Sequence, residues 1–236
     1  MDFDDYRAEP SVGRRALLLV TLPTCRLLIR VLNRLELVGL DRFEAARASA
    51  RGLLTFSNHV SLFDDPWLPG AVVRGNWESM RWCATDDVNF FTHPLSRRFF
   101  SAGKGVPIVR GAGLDQPGMH FLEDRLRHGD WVHIFPEGGR SRTPRALRTP
   151  LKTGMAHLVQ ATRPLLLPYH HWGMEKVLPI GTAMPRFGHR LQMRFGEVTD
   201  SAQGLADESV EAITAWAEEQ LLGLQAEAAL TASGGS

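Results

Sequence analysis

The 236-residue sequence contains little cysteine and almost no net charge, and each shortage excludes a class of protein. Its two cysteines, Cys25 and Cys83, lie far apart without metal-binding spacing, so we expect no disulfide framework and a reducing compartment. The formal charge is +1, whereas nucleic-acid-binding domains are usually strongly basic. We therefore expect no nucleic-acid partner, and any anionic ligand must bind a local basic patch.

A long hydrophobic run is also missing. The apolar stretch 16–25 covers ten residues and contains Pro23, whereas a membrane-spanning helix needs about 20 residues. The acidic start of the chain is typical of neither a secretory signal nor a mitochondrial transit peptide. Arg26, Arg30 and Arg34 follow at every fourth position with leucines between them, which predicts an amphipathic helix lying on an anionic membrane surface. An ordinary helix packed on the protein's own core is the alternative.

Strand-like and helix-like segments alternate through most of the chain, which favours an α/β fold with a mostly parallel mixed sheet flanked by helices. We divide the chain into an N-terminal amphipathic, membrane-associating helical segment (1–45), one α/β domain (46–230) and a disordered tail (231–236). The predicted strands are 53–57, 82–85, 106–109, 131–135, 165–168 and 191–195, and the predicted helices begin at Pro117, Gly154 and Val210.

The most informative pair is His59 and Asp64, which are separated by four residues. A carboxylate that bonds one imidazole nitrogen fixes the tautomer and stabilises the imidazolium, so the other nitrogen can remove a proton from a hydroxyl. We predict His59 as a general base and Asp64 as its orienting partner, with Asp65 as the alternative partner. By itself this spacing is common, and a structural histidine in a capped loop is the other interpretation.

Three further segments give this pair its context. Residues 103–111 form a glycine turn that feeds a strand ending at Arg110, and 135–142 form a strand end followed by Arg140 and Arg142. The third is the apolar segment 165–168. The three guanidinium groups predict a cluster for phosphate oxygens. For the other basic residues nearby we favour a solvated surface; these are Arg145, Arg148 and Lys152.

In this order the four segments resemble the glycerolipid acyltransferase superfamily, which includes lysophosphatidate acyltransferases. His59 and Asp64 match its first motif, and Gly103 and Arg110 match its second. The third motif is matched by Phe135, Pro136, Glu137, Gly138, Arg140, Ser141 and Arg142, and the fourth by Pro168. The resemblance implies a glycerol-3-phosphate acyltransferase-like fold, an acyltransferase domain over 46–230 and a monotopic protein. It also implies direct transfer without a covalent acyl-enzyme, and no metal or other cofactor.

A narrower resemblance, over roughly residues 50–200, is to the tafazzin family of phospholipid–lysophospholipid transacylases. It is carried by segments that include Asn58-His-Val-Ser, Asp64-Asp-Pro, Met80-Arg-Trp, Gly129-Asp-Trp-Val-His-Ile-Phe-Pro-Glu-Gly and Trp172-Gly-Met. It implies transfer of a fatty acyl chain to a lysophospholipid hydroxyl, with His59 as base and Asp64 as its orienter. The substrate-binding residues that the two resemblances imply are Gly103, Lys104, Arg110, Glu137, Gly138, Arg140, Ser141 and Arg142.

One departure keeps the acyl donor open. After Gly138 the chain continues Gly139-Arg-Ser-Arg, which is more similar to the lysophosphatidate enzymes than to tafazzin. The alternative function is thus a 1-acyl-glycerol-3-phosphate acyltransferase that depends on acyl-CoA or acyl carrier protein. The non-enzyme alternative is an inactive lipid-binding homologue. The expected location is the membrane periphery, at the cytoplasmic face of a bacterial inner membrane, and the sequence leaves the oligomeric state open.

Other catalytic classes lack their signatures. The segment Gly139-Arg-Ser-Arg-Thr misses the final glycine of a Gly-x-Ser-x-Gly elbow, which argues against a serine hydrolase. Gly103-Lys104 lacks the other residues of a phosphate-binding P-loop. His170 and His171 are adjacent on a predicted strand and point to opposite faces, so we expect no shared metal ion.

Overall fold

A computed structural model describes residues 12–73, 77–143, 146–182 and 184–233. The strands are β1 (Arg34–Val38), β2 (Leu53–Ser57), β3 (Trp82–Asp86), β4 (Gly105–Ile108), β5 (Trp131–Ile134), β6 (Leu165–Trp172), β7 (Arg190–Phe195) and β8 (Thr199–Asp200). The helices are α1 (Val12–Arg26), α2 (Leu40–Ala48), α3 (Asp64–Val72), α4 (Asp87–Phe90), α5 (Pro94–Ala102), α6 (Pro117–Arg127), α7 (Gly154–Thr162), α8 (Met174–Val177), α9 (Ser201–Gly204) and α10 (Val210–Ser233). A π-helical turn, Leu27–Val31, continues α1, and a 3-10 turn, Trp77–Ser79, precedes β3.

The strands form one eight-stranded sheet in the order β1-β7-β6-β2-β5-β3-β4, with β8 beside β6. Strand β2 pairs in parallel with β5 and β6, β3 pairs in parallel with β4 and β5, and β1 with β7. Only the pairs of β6 with β7 and β8 are antiparallel among the described strands. The predicted mostly parallel mixed sheet is therefore confirmed.

Helices cover both faces of the sheet. Successive side chains of a strand point to opposite faces, so the apolar strand β2 supplies both layers. Leu54 and Phe56 face a core shared with α6, α7 and α10. Leu53 faces the opposite core, where Phe43 of α2 and Leu68 of α3 pack. Burial on both faces explains why β2 appears in the sequence as an apolar run without strict alternation.

The parallel arrangement gathers loops at one edge of the sheet. Strands β2, β4 and β5 end at Ser57, Ile108 and Ile134. Because these strands are parallel, the segments that follow them emerge on the same side. These segments carry most of the predicted motif residues, whereas Gly103 precedes β4 and Pro168 lies within β6. Open α/β sheets commonly bind ligands at this carboxyl edge.

The N-terminal region differs from the prediction. Helix α1 ends at Arg26, a wider π-helical turn runs to Val31, and Arg34 begins β1. The three arginines therefore do not share one helical face. Parallel pairing with β7 accounts for the strand, since all five residues of β1 have partners there, and the Asn33 side chain donates to the carbonyl of Leu28 at the end of the turn.

The predicted disordered tail is described only in part. Helix α10 extends to Ser233, whereas residues 234–236 lie outside the described residues, as does the acidic start of the chain. In the described ranges, no helix is both long enough and apolar enough to cross a bilayer.

Candidate active site

His59 and Asp64 form a hydrogen-bonded pair at the end of β2. The Nδ1 atom of His59 lies 2.9 Å from Oδ2 of Asp64, which is the first residue of α3. The same carboxylate oxygen accepts the backbone N–H groups of Val60 at 2.6 Å and Ser61 at 2.8 Å. The loop between the two residues therefore folds around the carboxylate. Because Nδ1 is bonded, Nε2 of His59 is the nitrogen left for proton transfer.

The surroundings favour the charged form of Asp64. Burial alone would raise the pKa of this completely buried carboxyl. The positive potential of His171, together with the hydrogen bonds from His59 and the Ser61 amide, outweighs burial and holds the pKa of Asp64 below its ordinary value. An anionic Asp64 can stabilise an imidazolium that forms on His59.

The neighbouring Asp65 has a different partner. Its two carboxylate oxygens accept Nε–H and Nη2–H of Arg81, and Nη1 of Arg81 donates to the carbonyl of Gly103 at 2.8 Å. The backbone of Asp65 is extended rather than helical, with φ −122° and ψ 128°, so the two adjacent carboxylates diverge. The structure brings Asp64 to His59 and leaves Asp65 in a buried ion pair.

The turn after β5 holds the backbone of His59 on both sides. Oε1 of Glu137 accepts the backbone N–H of His59 at 2.6 Å, and the backbone N–H of Ser141 donates to the His59 carbonyl at 2.7 Å. The other oxygen of Glu137 accepts the backbone N–H of Arg148 at 2.8 Å. Phe135 stacks on the imidazole with ring centroids 4.1 Å apart. Glu137 and Ser141, which were predicted to bind substrate, therefore contact the protein's own backbone.

We expect Glu137→Gln to lower the free energy of unfolding by about 1–3 kcal/mol. A glutamine has one acceptor oxygen, so one of the two backbone N–H groups would face the amide NH₂ and remain buried without a partner. Denaturant unfolding measures the change. Glu123→Gln, which removes a half-exposed ion pair with Arg127 on α6, is the matched control and should cost less than about 1 kcal/mol. If the two variants have equal free energies of unfolding, Glu137 does not stabilise the loop that contains His59.

A cavity of about 580 Å³ adjoins the pair, and His59 lies in its wall. Its lining is largely apolar and comes from α1, β3, α5, β4 and the segments that follow β4 and β5. The side chains that matter for a hydrophobic ligand include Leu22, Met80, Phe99, Phe100, Ile108 and Leu114. A mostly apolar cavity with a few polar groups at one place is the usual form of a site for a lipid-like molecule.

Gly103, Arg110 and Gly138 line this cavity, whereas Lys104 does not. The ammonium group of Lys104 is buried, donates to the carbonyl of Met80 at 3.0 Å and lies 4.8 Å from the ring centroid of Trp82. Burial lowers the pKa of Lys104 to about 7. The Lys104 side chain therefore contacts the protein itself, at Met80 and at Trp82 of β3.

The predicted arginine cluster is only partly assembled. Arg110 lines the cavity, and its Nη2 atom lies 3.4 Å from a carboxylate oxygen of Asp86. Arg140 and Arg142 are exposed and do not line the cavity. Arg145 lies outside the described residues. Of the three arginines predicted to bind phosphate, Arg110 alone lines the cavity.

Sequence reasoning missed Asn58 and His171. The Asn58 side chain donates to the His171 carbonyl at 2.8 Å and accepts the His171 backbone N–H at 3.0 Å. The buried His171 ring lies 2.9 Å from the Asn58 carbonyl and 3.7 Å from the Asp64 carboxylate, both measured from Nε2. The parallel pairing of β2 with β6 creates this contact, and no local sequence signal predicts it. In the described residues no group of three or more His, Cys, Asp or Glu side chains could hold a metal ion.

Comparison with known proteins agrees with the predicted resemblance. Residues 34–172 match a family model whose description is acyltransferase. The chain is 34% identical over 180 residues to taffazin of Dictyostelium discoideum, which covers 70% of this chain and 62% of that protein. It is 36% identical over 155 residues to tafazzin of Drosophila melanogaster, which covers 64% of this chain and 40% of that protein. The chain spans less than two thirds of the length of either relative.

The fold is similar to a solved structure. The crystal structure of the 1-acyl-sn-glycerophosphate acyltransferase of Thermotoga maritima superposes with a TM-score of 0.67, covering 95% of this chain and 86% of that one. The sequences are 17% identical, so this similarity concerns the fold alone.

Proposed function

The chain belongs to the acyltransferase family, and from this premise we propose that it transfers a fatty acyl chain from a phospholipid to a lysophospholipid hydroxyl. The observation that carries the proposal is the hydrogen-bonded pair of His59 and Asp64, of which His59 lies in the wall of a largely apolar cavity. A base beside a lipid-sized apolar space suits a reaction between a hydroxyl and an acyl ester. The sequence similarity to the tafazzin relatives supports a phospholipid as the acyl donor.

The reaction proceeds by direct transfer. Nε2 of His59 removes the proton from the acceptor hydroxyl as its oxygen attacks the acyl carbonyl, and the carbonyl becomes a tetrahedral intermediate. Asp64 keeps the Nδ1–H tautomer and stabilises the imidazolium. When the intermediate collapses, the bond to the donor's glycerol oxygen breaks and the imidazolium returns the proton to that oxygen. The products are the acylated acceptor and a new lysophospholipid, so no water is consumed.

The cavity binds the acyl chain. Each methylene group removed from water contributes about 0.8 kcal/mol, so a chain of ordinary length gains most of its binding free energy from apolar walls. Phe99, Phe100 and Ile108 supply such walls, and His59 is in the same cavity. A fatty acyl chain that enters this cavity at His59 has its carbonyl group beside the catalytic pair.

A second candidate rests on the Gly139-Arg-Ser-Arg segment, which is similar to that of lysophosphatidate enzymes. It would use an acyl thioester in place of the donor phospholipid. Labelled lysophospholipid in liposomes, assayed with and without acyl-CoA, separates the two candidates. Transfer from phospholipid alone supports the transacylase, and transfer only with acyl-CoA, with release of free thiol, replaces it by the second candidate. No transfer from either donor would contradict both.

The protein binds the membrane surface through α1 and the π-helical turn that follows it. Leu19, Val20 and Val31 are 71%, 67% and 70% exposed, although their neighbour Leu22 is buried and lines the cavity. Phe99 of α5, which is 49% exposed, also lines the cavity. A helix with exposed apolar side chains that also lines the cavity suits insertion into the boundary between headgroups and acyl chains.

We expect the double variant Leu19→Glu/Val31→Glu to bind vesicles at least 10-fold more weakly. Each change removes a large apolar side chain from the inserted surface, and burial of one such side chain contributes about 1.5–3 kcal/mol. Cosedimentation with liposomes measures the binding. Leu230→Glu, at a position 74% exposed on α10, is the matched control and should leave vesicle binding unchanged. If the double variant sediments with liposomes as well as the wild type, α1 is not the membrane contact.

A further inference from the structure

The peptide group that joins Asn58 to His59 is held by side chains at both of its polar atoms. The carbonyl of Asn58 accepts hydrogen bonds from Nε2 of His171 at 2.9 Å and from the Ser57 hydroxyl at 3.0 Å. The N–H of the same peptide group, which belongs to His59, donates to Glu137. Because a carbonyl oxygen can only accept, Nε2 of His171 carries a hydrogen in this contact. His171 and Glu137 therefore fix the backbone directly before the general base.

The His171 ring is itself held in place from the end of β2. His171 lies on β6, and the Asn58 side chain donates to its carbonyl and accepts its backbone N–H. With the contact between the ring and the Asn58 carbonyl, the two residues form three buried hydrogen bonds. The imidazole of His171 and the peptide group before His59 thus keep one distance from each other.

The same nitrogen of His171 also faces the orienting carboxylate. Nε2 lies 3.7 Å from Oδ2 of Asp64, which is the oxygen that bonds Nδ1 of His59. The side chains of His171 and Asp64 are both completely buried. An N–H group near a carboxylate stabilises the negative charge more strongly in such surroundings than in water. One donor therefore acts on both the backbone of His59 and the partner of its ring.

Packing alone does not explain a histidine at this position. Leu167 and Tyr169 share its face of β6 and belong to the core in which α2 and α3 pack. Burial of an imidazole costs free energy unless its polar atoms find partners. Among the described residues that line the cavity His171 is absent, so it acts through other groups rather than on the substrate. Its contacts lead to the loop that carries His59 and Asp64.

We propose that His171 is a positioning residue for acyl transfer, a proposal that rests on the function proposed above. Its Nε2–H holds the peptide group before His59 and lies beside the Asp64 carboxylate, so the imidazole of His59 keeps the orientation in which Nδ1 meets Asp64. The role requires one donor atom and no transfer of a proton by His171. A different side chain that offers an N–H at the same place should therefore replace it.

The test compares two substitutions of His171 in the liposome assay. His171→Leu keeps an apolar side chain of similar size without a donor, whereas the amide nitrogen of His171→Gln can take the place of Nε2. Misplacement of a catalytic group by about 1 Å can cost about 100-fold, so His171→Leu should lower kcat by about 10-fold to 100-fold. The KM values of both lipids should change less than about threefold, because the cavity wall is unaltered.

Rescue by glutamine is the result that a purely structural role would not give. We expect the kcat of His171→Gln to lie within about threefold of the wild-type value. The proposal is overturned if His171→Leu keeps the wild-type kcat, or if His171→Gln is as slow as His171→Leu.

Two further variants serve as controls. His170→Leu removes a buried imidazole from the opposite face of the same strand and should keep the wild-type kcat; an equal loss there would assign the effect to β6 as a whole. The double variant His59→Ala/His171→Leu should be no slower than His59→Ala, because no catalytic ring remains to be positioned. A further loss of rate in the folded double variant would contradict action through His59.

A spectroscopic measurement separates this proposal from the proposed function. The proton between Nδ1 of His59 and Asp64 is expected to give an NMR resonance downfield of the backbone amides, assigned by its absence in His59→Ala. His171→Leu should shift or broaden this resonance, and His171→Gln should restore it. That result would support the positioning role even if the liposome assay detected no acyl transfer. An unchanged resonance in His171→Leu would overturn the role and leave the transfer assay to decide the function.

Discussion

Replacement of His59 by alanine is expected to lower the rate of acyl transfer by about 10²–10⁴-fold, the contribution typical of a general base. Among the described residues, no other side chain both forms a hydrogen bond with Asp64 and lines the cavity. Without His59, the acceptor hydroxyl would therefore have to lose its proton to water. The loss should appear in kcat, because the apolar cavity that binds the acyl chain is unchanged. The liposome assay measures it directly.

The control for this result is a measurement that the His59→Ala protein is folded. The His59 side chain is 18% exposed and its backbone, held by Glu137 and Ser141, is unaffected by the substitution. We therefore expect the variant to keep the wild-type fold, which circular dichroism measures. His120→Ala removes a histidine that pairs with exposed Asp115 and should transfer at the wild-type rate. Near-normal transfer by folded His59→Ala protein would exclude the proposed mechanism.

The second large effect is expected for Asp64→Asn, which should lower kcat by about 10²–10⁴-fold. In serine proteases the corresponding change of a buried aspartate lowers kcat about 10⁴-fold because the histidine adopts the wrong tautomer. Here Oδ2 of Asp64 accepts three N–H groups, from His59, Val60 and Ser61. An asparagine has no negative charge to stabilise the imidazolium, and an amide NH₂ turned toward His59 would favour the tautomer protonated at Nε2.

A double-variant comparison distinguishes a catalytic role of Asp64 from a structural one. Residues that act as one unit lose activity non-additively, so His59→Ala/Asp64→Asn should be no slower than the slower single variant. The free energy of unfolding of Asp64→Asn should fall by about 1–3 kcal/mol, because buried donors lose part of their acceptor. Additive losses of activity in the folded double variant would mean that Asp64 acts on transfer by a route other than His59.

Local patterns determined much of the scaffold. The predicted strand 53–57 and the predicted helix that begins at Gly154 have the observed bounds, because an apolar β-rich run and a helical apolar period are signals within a few residues. Proline at the start of α6 and glycine just beyond its end are also local signals, and they mark where this helix begins and ends. The pairing of His59 with Asp64 also follows from a short loop, because only four residues separate them.

Contacts between distant segments decided the rest. Arg34 continues a helical spacing in the sequence, but pairing with β7 makes it the first residue of a strand. Lys104 follows a motif glycine, yet its backbone adopts φ 60° and directs the ammonium group into a buried contact near Trp82.

The sequence alone therefore determined the α/β class, the motif segments and the contact between His59 and Asp64, because each depends on residues close together in the chain. Only the tertiary structure decided which cations reach the cavity. Arg140 and Lys152 are equivalent in a list of basic residues, but Lys152 packs against Gly138 and lines the cavity, whereas Arg140 is exposed and does not line it. Side-chain direction after a turn depends on what packs against it, and that information is spread over the whole fold.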